Sequence, residues 1–223
     1  MDIKQKILSK NDLKAREMRE IYRQNNLFVI NIMSAPGSGK TTLLEYFSND
    51  SSFKFAVIEG DLETNRDALR LQKRGIQAHQ ITTGEACHLE ALMIERAFLS
   101  LQNSGAIANI DYLIIENVGN LVCPASYDLG EDLKIVLLSA TEGDDKVLKY
   151  PSMFLCADIV VVSKSDVCEI FNFKIESVKS DLAKLNPKAK LFSVSNKDEK
   201  SIAILQDYIK SLKRSENVSC YPL

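Results

Sequence analysis

Apolar residues along this chain gather in six short runs, and between the runs they recur at every third or fourth position. The runs are LFVINIM (27–33), FKFAVIE (53–59), DYLIIENV (111–118), LKIVLLSA (133–140), ADIVVVS (157–163) and AKLFSVS (189–195). Short, nearly continuous apolar runs read as strands buried on both faces. The intervening segments read as amphipathic helices, for example LEALMIERAFLSL at 89–101. Strand and helix in alternation predict an α/β fold, a mostly parallel β-sheet flanked by helices on both faces. Ahead of the first strand, NDLKAREMREIYRQNN (11–26) predicts a helix on the sheet's flank, capped by Asn11 or Asp12. The organisation expected is an N-terminal helical extension over 1–26, one main domain over 27–214 and a flexible, frayed tail over 215–223.

The first strand runs into SAPGSGKTTLLEYF, a P-loop in which Ser34 replaces the first glycine of the usual pattern. The turn Pro36, Gly37, Ser38, Gly39 lets successive backbone N–H groups face a polyphosphate, and the helix opened by Lys40, Thr41 and Thr42 adds its positive end. A plain Gly/Ser turn would carry the same glycines. The lysine and threonine in register between strand and helix favour a P-loop NTPase, with Lys40 on the β and γ oxygens and the Thr41 hydroxyl on Mg²⁺.

Such a site also needs an acid at the end of a neighbouring strand. Glu116 closes the run LIIE, and Gly119 follows where its N–H can sense a γ-phosphate. Asp61, at the end of another strand, is a second Mg²⁺-shell candidate or orients the attacking water; it reads equally as a helix N-cap. Lys40, Asp61 and Glu116 are therefore the expected catalytic set. In VVVSKSD, the Asp166 carboxylate can accept both N1–H and N2–H₂ of guanine, and Lys164 can lie along the base, which favours GTP over ATP. Ser163 stands where GTPases usually carry Asn, so one contact tying the loops together is expected to be weaker. Ser195, in SVSN after the last strand, is placed to close over the base.

Charge removes some classes of partner. A formal net charge of −2 over 223 residues, with 26% charged, offers no basic footprint for nucleic acid. No apolar run is long enough to span a membrane and the first residues lack the core of a secretory signal, so a cytoplasmic protein is expected. The five cysteines are an odd number, widely spaced, in a chain that needs no disulfide staples.

Two of those cysteines bear on function. Cys87 and His88 lie together in TTGEACHLEA, at the expected start of a helix, and Cys123 lies four residues beyond Gly119. Two thiolates and an imidazole suit Ni²⁺ or Zn²⁺. Without a CxxC, spacing alone leaves metal binding, a catalytic Cys-His couple and simple burial all open. Two chains about a two-fold axis could supply Cys87 and Cys123 twice, giving four sulfurs with His88 as an alternative ligand. Cys156, Cys168, Cys220 and His79 show no partner pattern.

Taken together, NIMSAPGSGKTTLLE, GDLETNRDA, TTGEACHLEA, IENVGNLVCPASYDLGE and LLSATEGDDKVLKYPSMF resemble the HypB family of nickel-insertion GTPases, over nearly the whole chain. The resemblance implies a SIMIBI-class G domain that binds and hydrolyses GTP to GDP with Mg²⁺ and forms a homodimer when GTP-bound. It also implies a Ni²⁺/Zn²⁺ site at the dimer interface made by Cys87, His88 and Cys123. The implied partners are a nickel-chaperone protein and the hydrogenase large-subunit maturation machinery, with urease maturation as a second client. Residues 1–26 hold neither the cysteine motif nor the histidine-rich stretch of some members. The metal motif Cys-Pro-His of the urease-type nickel GTPases is absent. A small-molecule kinase would need an Arg-rich lid, for which TEGDDKVLKYPSMF is a poor match. A nucleotide-independent metal carrier would not need the intact Lys40, Thr41 and Glu116.

Overall fold

The computed structural model describes residues 3–63 and 65–219, with side chains from 7 to 213. The helices are α1 (Ile3–Gln24), α2 (Lys40–Phe47), α3 (Arg66–Gln72), α4 (Ala91–Asn103), α5 (Lys146–Lys149), α6 (Pro151–Leu155), α7 (Ile175–Leu185) and α8 (Glu199–Ser219). The strands are β1 (Phe28–Ser34), β2 (Phe55–Asp61), β3 (Gln77–Thr82), β4 (Tyr112–Glu116), β5 (Leu133–Ser139), β6 (Ile159–Ser163) and β7 (Lys190–Ser193). They form one sheet in the order β3-β2-β4-β1-β5-β6-β7, parallel throughout.

The central strands are buried along their length, as their unbroken apolar runs require. On one face Leu44 and Phe47 of α2 and Leu205 and Ile209 of α8 cover the sheet. On the other, Met18 and Tyr22 of α1 pack with Ile94 and Phe98 of α4, while Met153, Phe154 and Val178 cover β5 and β6. Each large side chain so removed from water contributes about 1.5–3 kcal/mol. With all strands parallel, their C-terminal ends share one edge, and there the loops after β1, β2, β4, β6 and β7 meet.

The structure departs from the sequence expectations at four places. β3 is a seventh strand: an edge strand, half-buried and rich in Gln, His and Thr, it has no apolar run to announce it. α1 starts at Ile3, so Asn11 is buried in mid-helix rather than capping it. Cys87 and His88 lie in the β3–α4 loop, just before the helix that begins at Ala91. α8 continues to Ser219, past the expected domain end at 214, and Cys220 with the rest of the expected tail lies outside the described residues.

Candidate functional site

The P-loop leaves buried β1 and turns through Gly37 and Gly39, at φ 73° and 96°, into the first turn of α2. Lys40 Nζ donates to Ser34 Oγ at 3.1 Å, and Thr41 Oγ1 donates to Glu116 Oε1 at 2.8 Å. Lys40, Thr41 and Glu116 are all buried. Gly119 is pressed on the P-loop: a Cβ there would stand 2.9 Å from Pro36 Cα, so only glycine admits this approach.

Beside Glu116, and in register with it on β2, is Glu59. Oε2 of each is buried without a hydrogen-bond partner. Burial pushes the Glu116 carboxyl up to about 7 against the pull of Lys40, and burial followed by the Glu116 charge pushes Glu59 up to about 8. Two buried carboxylates with unused oxygens next to a threonine hydroxyl are hard oxygen donors that fit Mg²⁺. Asp61 lines the same cavity of about 190 Å³ with Lys40, Glu59 and Glu116. Its carboxylate accepts from Leu62 N at 2.6 Å and does not cap α3, whose N-cap position is Asn65.

A second cavity, of about 390 Å³, continues past Ser38, Gly39 and Thr42 to Lys164, Asp166 and Val194. Asp166 accepts from Ser195 Oγ at 2.7 Å and pairs with Lys197 Nζ at 2.9 Å. These contacts, the Ser195 hydrogen bond first, hold its carboxyl below the ordinary range. Lys164, in the left-handed region at φ 55°, donates to Gly37 O at 2.8 Å. Ser163 Oγ donates to Ser38 O at 2.7 Å, a buried bond that ties strand β6 to the P-loop. The tie expected to be weakened by serine is thus made by the serine hydroxyl.

Beyond the segment that follows β4, Cys87, His88 and Cys123 bring their ligand atoms within 4.8 Å of one another, the one such group among the described residues. The two sulfurs are 2.7 Å apart and are thiols, and His88 Nδ1 is 3.8 Å from Cys87 Sγ. Cys123 opens a 3₁₀ turn, Cys123–Ser126, followed by Tyr127, whose ring stacks on His88 at 3.8 Å between centroids. Burial lowers the His88 pKa, opposed by Glu90, so the imidazole is neutral and available as a ligand near pH 7. Asn120 Nδ2 reaches Cys87 O at 3.4 Å across the two loops. Soft thiolates with a borderline imidazole fit Ni²⁺ or Zn²⁺ and leave a four-coordinate ion incomplete. Cys156 donates to Met153 O at 3.1 Å, burial raises both its thiol and that of Cys168, and His79 lies on edge strand β3, apart from the metal-type group.

Four participants escaped sequence reasoning. Glu59 carried a usable signal, an acid inside the apolar run FAVIE. Glu142, whose Oε1 is 2.6 Å from Ser38 Oγ, and Tyr127 carried none, and Asn11 carried a cap signal without the helix it serves, because these contacts cross the fold.

Comparison with known proteins places the chain by sequence and by fold. The nucleotide-binding domain model CobW/HypB/UreG matches residues 28–193. The hydrogenase/urease maturation factor HypB of Helicobacter pylori is 58% identical over 219 residues, covering 98% of this chain and 90% of that protein. The hydrogenase maturation factor HypB of Escherichia coli is 42% identical over 199 residues, covering 87% and 67%. The crystal structure of Helicobacter pylori HypB in complex with nickel superposes with a TM-score of 0.92 at 57% identity, covering 96% of this chain and 100% of that one. The 54 kDa signal recognition particle protein of Aeropyrum pernix, in complex with GDP, shares the fold alone, at a TM-score of 0.53 and 14% identity. With a family model over most of its length and relatives matched nearly end to end, this chain belongs to the HypB family of P-loop hydrogenase maturation factors.

Proposed function

We propose that this protein is a GTP-hydrolysing nickel carrier: it binds GTP with Mg²⁺ in the P-loop and guanine cavities, and it holds nickel between two copies of the chain. The observation that carries this reading is one continuous segment. β4 ends on Glu116, the chain passes Gly119 against Pro36, and it arrives at Cys123 beside Cys87 and His88. Nucleotide and metal therefore act on the two ends of the same loop.

Each residue then has a task. Lys40 leaves Ser34 for the β and γ oxygens, and the Thr41 hydroxyl is freed from Glu116. Mg²⁺, when bound, neutralises the charge developing on the phosphate oxygens. Glu116 and Asp61 hold the ion and the water around it, while Asp61 also orients the attacking water. The Gly119 N–H takes the γ-phosphate oxygen, which tightens residues 117–123. Asp166 and Ser195 read the guanine, with Lys164 along its plane.

Three ligands per chain leave a nickel or zinc site open, so two chains joined by GTP complete it with Cys87 and Cys123 from each, and hydrolysis to GDP loosens the pair. The cargo is released in the cytoplasm to a nickel-chaperone partner and the hydrogenase maturation machinery, with urease as a second client. That Helicobacter pylori HypB has been crystallised with nickel, and is a hydrogenase/urease maturation factor, supports the choice of metal and clients. The test is GTP turnover by the pure protein together with nickel stoichiometry in Cys123→Ala. Turnover with loss of nickel in the variant is expected; no turnover, or undiminished nickel, refutes the corresponding half.

A further inference from the structure

Helix α1 presents Asn11, Ala15, Arg19 and Tyr22 at helical spacing, and each meets one of the two loops that carry the metal ligands. Asn11 meets both. Its Oδ1 accepts from Ala91 N at 2.9 Å, at the first residue of α4 and three residues after His88. Its Nδ2 donates to Asp128 O at 2.8 Å, next to Tyr127, whose ring stacks on His88. Further along the helix, Arg19 Nη2 reaches both Asp128 carboxylate oxygens at 2.9 and 3.1 Å, and Tyr22 OH donates to Leu129 O at 3.3 Å. Contact is closest at Gly130, where a Cβ would stand 2.7 Å from Ala15 O, so the loop lies directly on the helix backbone.

The position of Asn11 has no explanation within α1. Asparagine in a helix interior costs roughly half a kcal/mol relative to alanine, and its amide is buried. Glu90, at the N-cap position of α4, makes no side-chain cap, and the Ala91 N–H is orphaned within its own helix. One carboxamide thus satisfies the start of α4 and a carbonyl of the facing loop, and it fixes how far apart those two backbones stand. Metal sites built from separate loops depend on such support, because ligands displaced by about half an ångström lose the bonding geometry.

We propose that Asn11 is a positioning residue of the metal site: it sets the spacing between the Cys87–His88 loop and the Cys123–Tyr127 loop, and so makes nickel affinity depend on how α1 is seated. The inference rests on the reading of Cys87, His88 and Cys123 as nickel ligands. Neither partner of Asn11 belongs to the P-loop or the guanine cavity, so nucleotide binding measured without nickel is independent of it.

The experiment measures Ni²⁺ affinity by competition with a chromophoric chelator and the thiolate-to-nickel charge-transfer band, alongside binding of a non-hydrolysable GTP analogue. It compares the full-length wild type with Asn11→Ala, Asn11→Asp and Cys123→Ala. Alanine favours the helix, so α1 is retained while both bonds are lost; aspartate keeps the acceptor for Ala91 N and removes the donor to Asp128 O. Both Asn11 variants should lose nickel affinity by about tenfold or more and weaken the band, with nucleotide affinity in the absence of nickel unchanged. Wild-type nickel affinity in both, with nickel lost in Cys123→Ala, overturns the role of Asn11 alone. Nickel retained in Cys123→Ala overturns the ligand assignment and this inference with it. Loss of nickel-free nucleotide binding together with nickel binding in both Asn11 variants assigns Asn11 to folding and also overturns the proposal.

Discussion

Glu59 and Glu116 are register partners on adjacent parallel strands, and each buries an Oε2 that has no hydrogen-bond partner. Burial raises both carboxyls, to about 8 at Glu59 and about 7 at Glu116, and the Glu116 charge adds to the rise at Glu59.

The pH dependence of stability follows with a definite sign. Between the ordinary carboxylate value of 4.5 and the raised values, the folded state holds protons that the unfolded chain has released. Stability of the nucleotide-free protein should therefore fall as pH rises from about 4.5 to 8, with Glu116 alone accounting for roughly 3 kcal/mol. Glu59→Gln should flatten that slope and raise Tm at pH near 8, and Mg²⁺ with a GTP analogue should oppose the loss. Thermal unfolding near pH 5.5 and 8 checks this; a Tm that rises with pH in the nucleotide-free wild type contradicts it.

Lys40 makes one side-chain hydrogen bond, to Ser34 Oγ, and otherwise faces the cavity shared with Glu116. Lys40→Ala should lower GTP turnover at least a hundredfold while leaving a cooperative unfolding transition, since its charge serves phosphate rather than the core. Steady-state turnover of the purified variant is the measurement, and unchanged turnover removes the hydrolase assignment.

The Asp166 carboxylate is held charged and oriented by Ser195 and Lys197. Asp166→Asn exchanges an acceptor oxygen for a donor facing guanine's own donors, so guanine nucleotides should weaken by about 1–3 kcal/mol per mispaired contact and xanthine nucleotides should gain. Competition binding with GTP, XTP and ATP decides it. Equal competition by ATP in the wild type contradicts the guanine reading.

Much of this was legible in the sequence because it depends on local order. The P-loop, the acid closing β4 and the SKSD loop each sit directly after an apolar strand, and a parallel sheet carries every such position to one edge. β3 was missed because an edge strand needs little apolar surface. Asn11 was misplaced because its cap serves α4, eighty positions away, and a cap signal does not name the helix it caps. The partner of Ser163 is likewise a carbonyl of the P-loop across the fold.

In the proposed function Cys123, at the far end of the segment that begins at Glu116, makes nickel binding answer to the nucleotide. The measurement is nickel affinity and sedimentation mass of the same protein, once with GDP and once with a non-hydrolysable GTP analogue. The account predicts a dimer with the analogue and nickel bound more tightly there by about 5–150-fold, with the reciprocal gain in analogue affinity when nickel is present. Equal nickel affinity in both nucleotide states, or full nickel stoichiometry on a monomer, would contradict it.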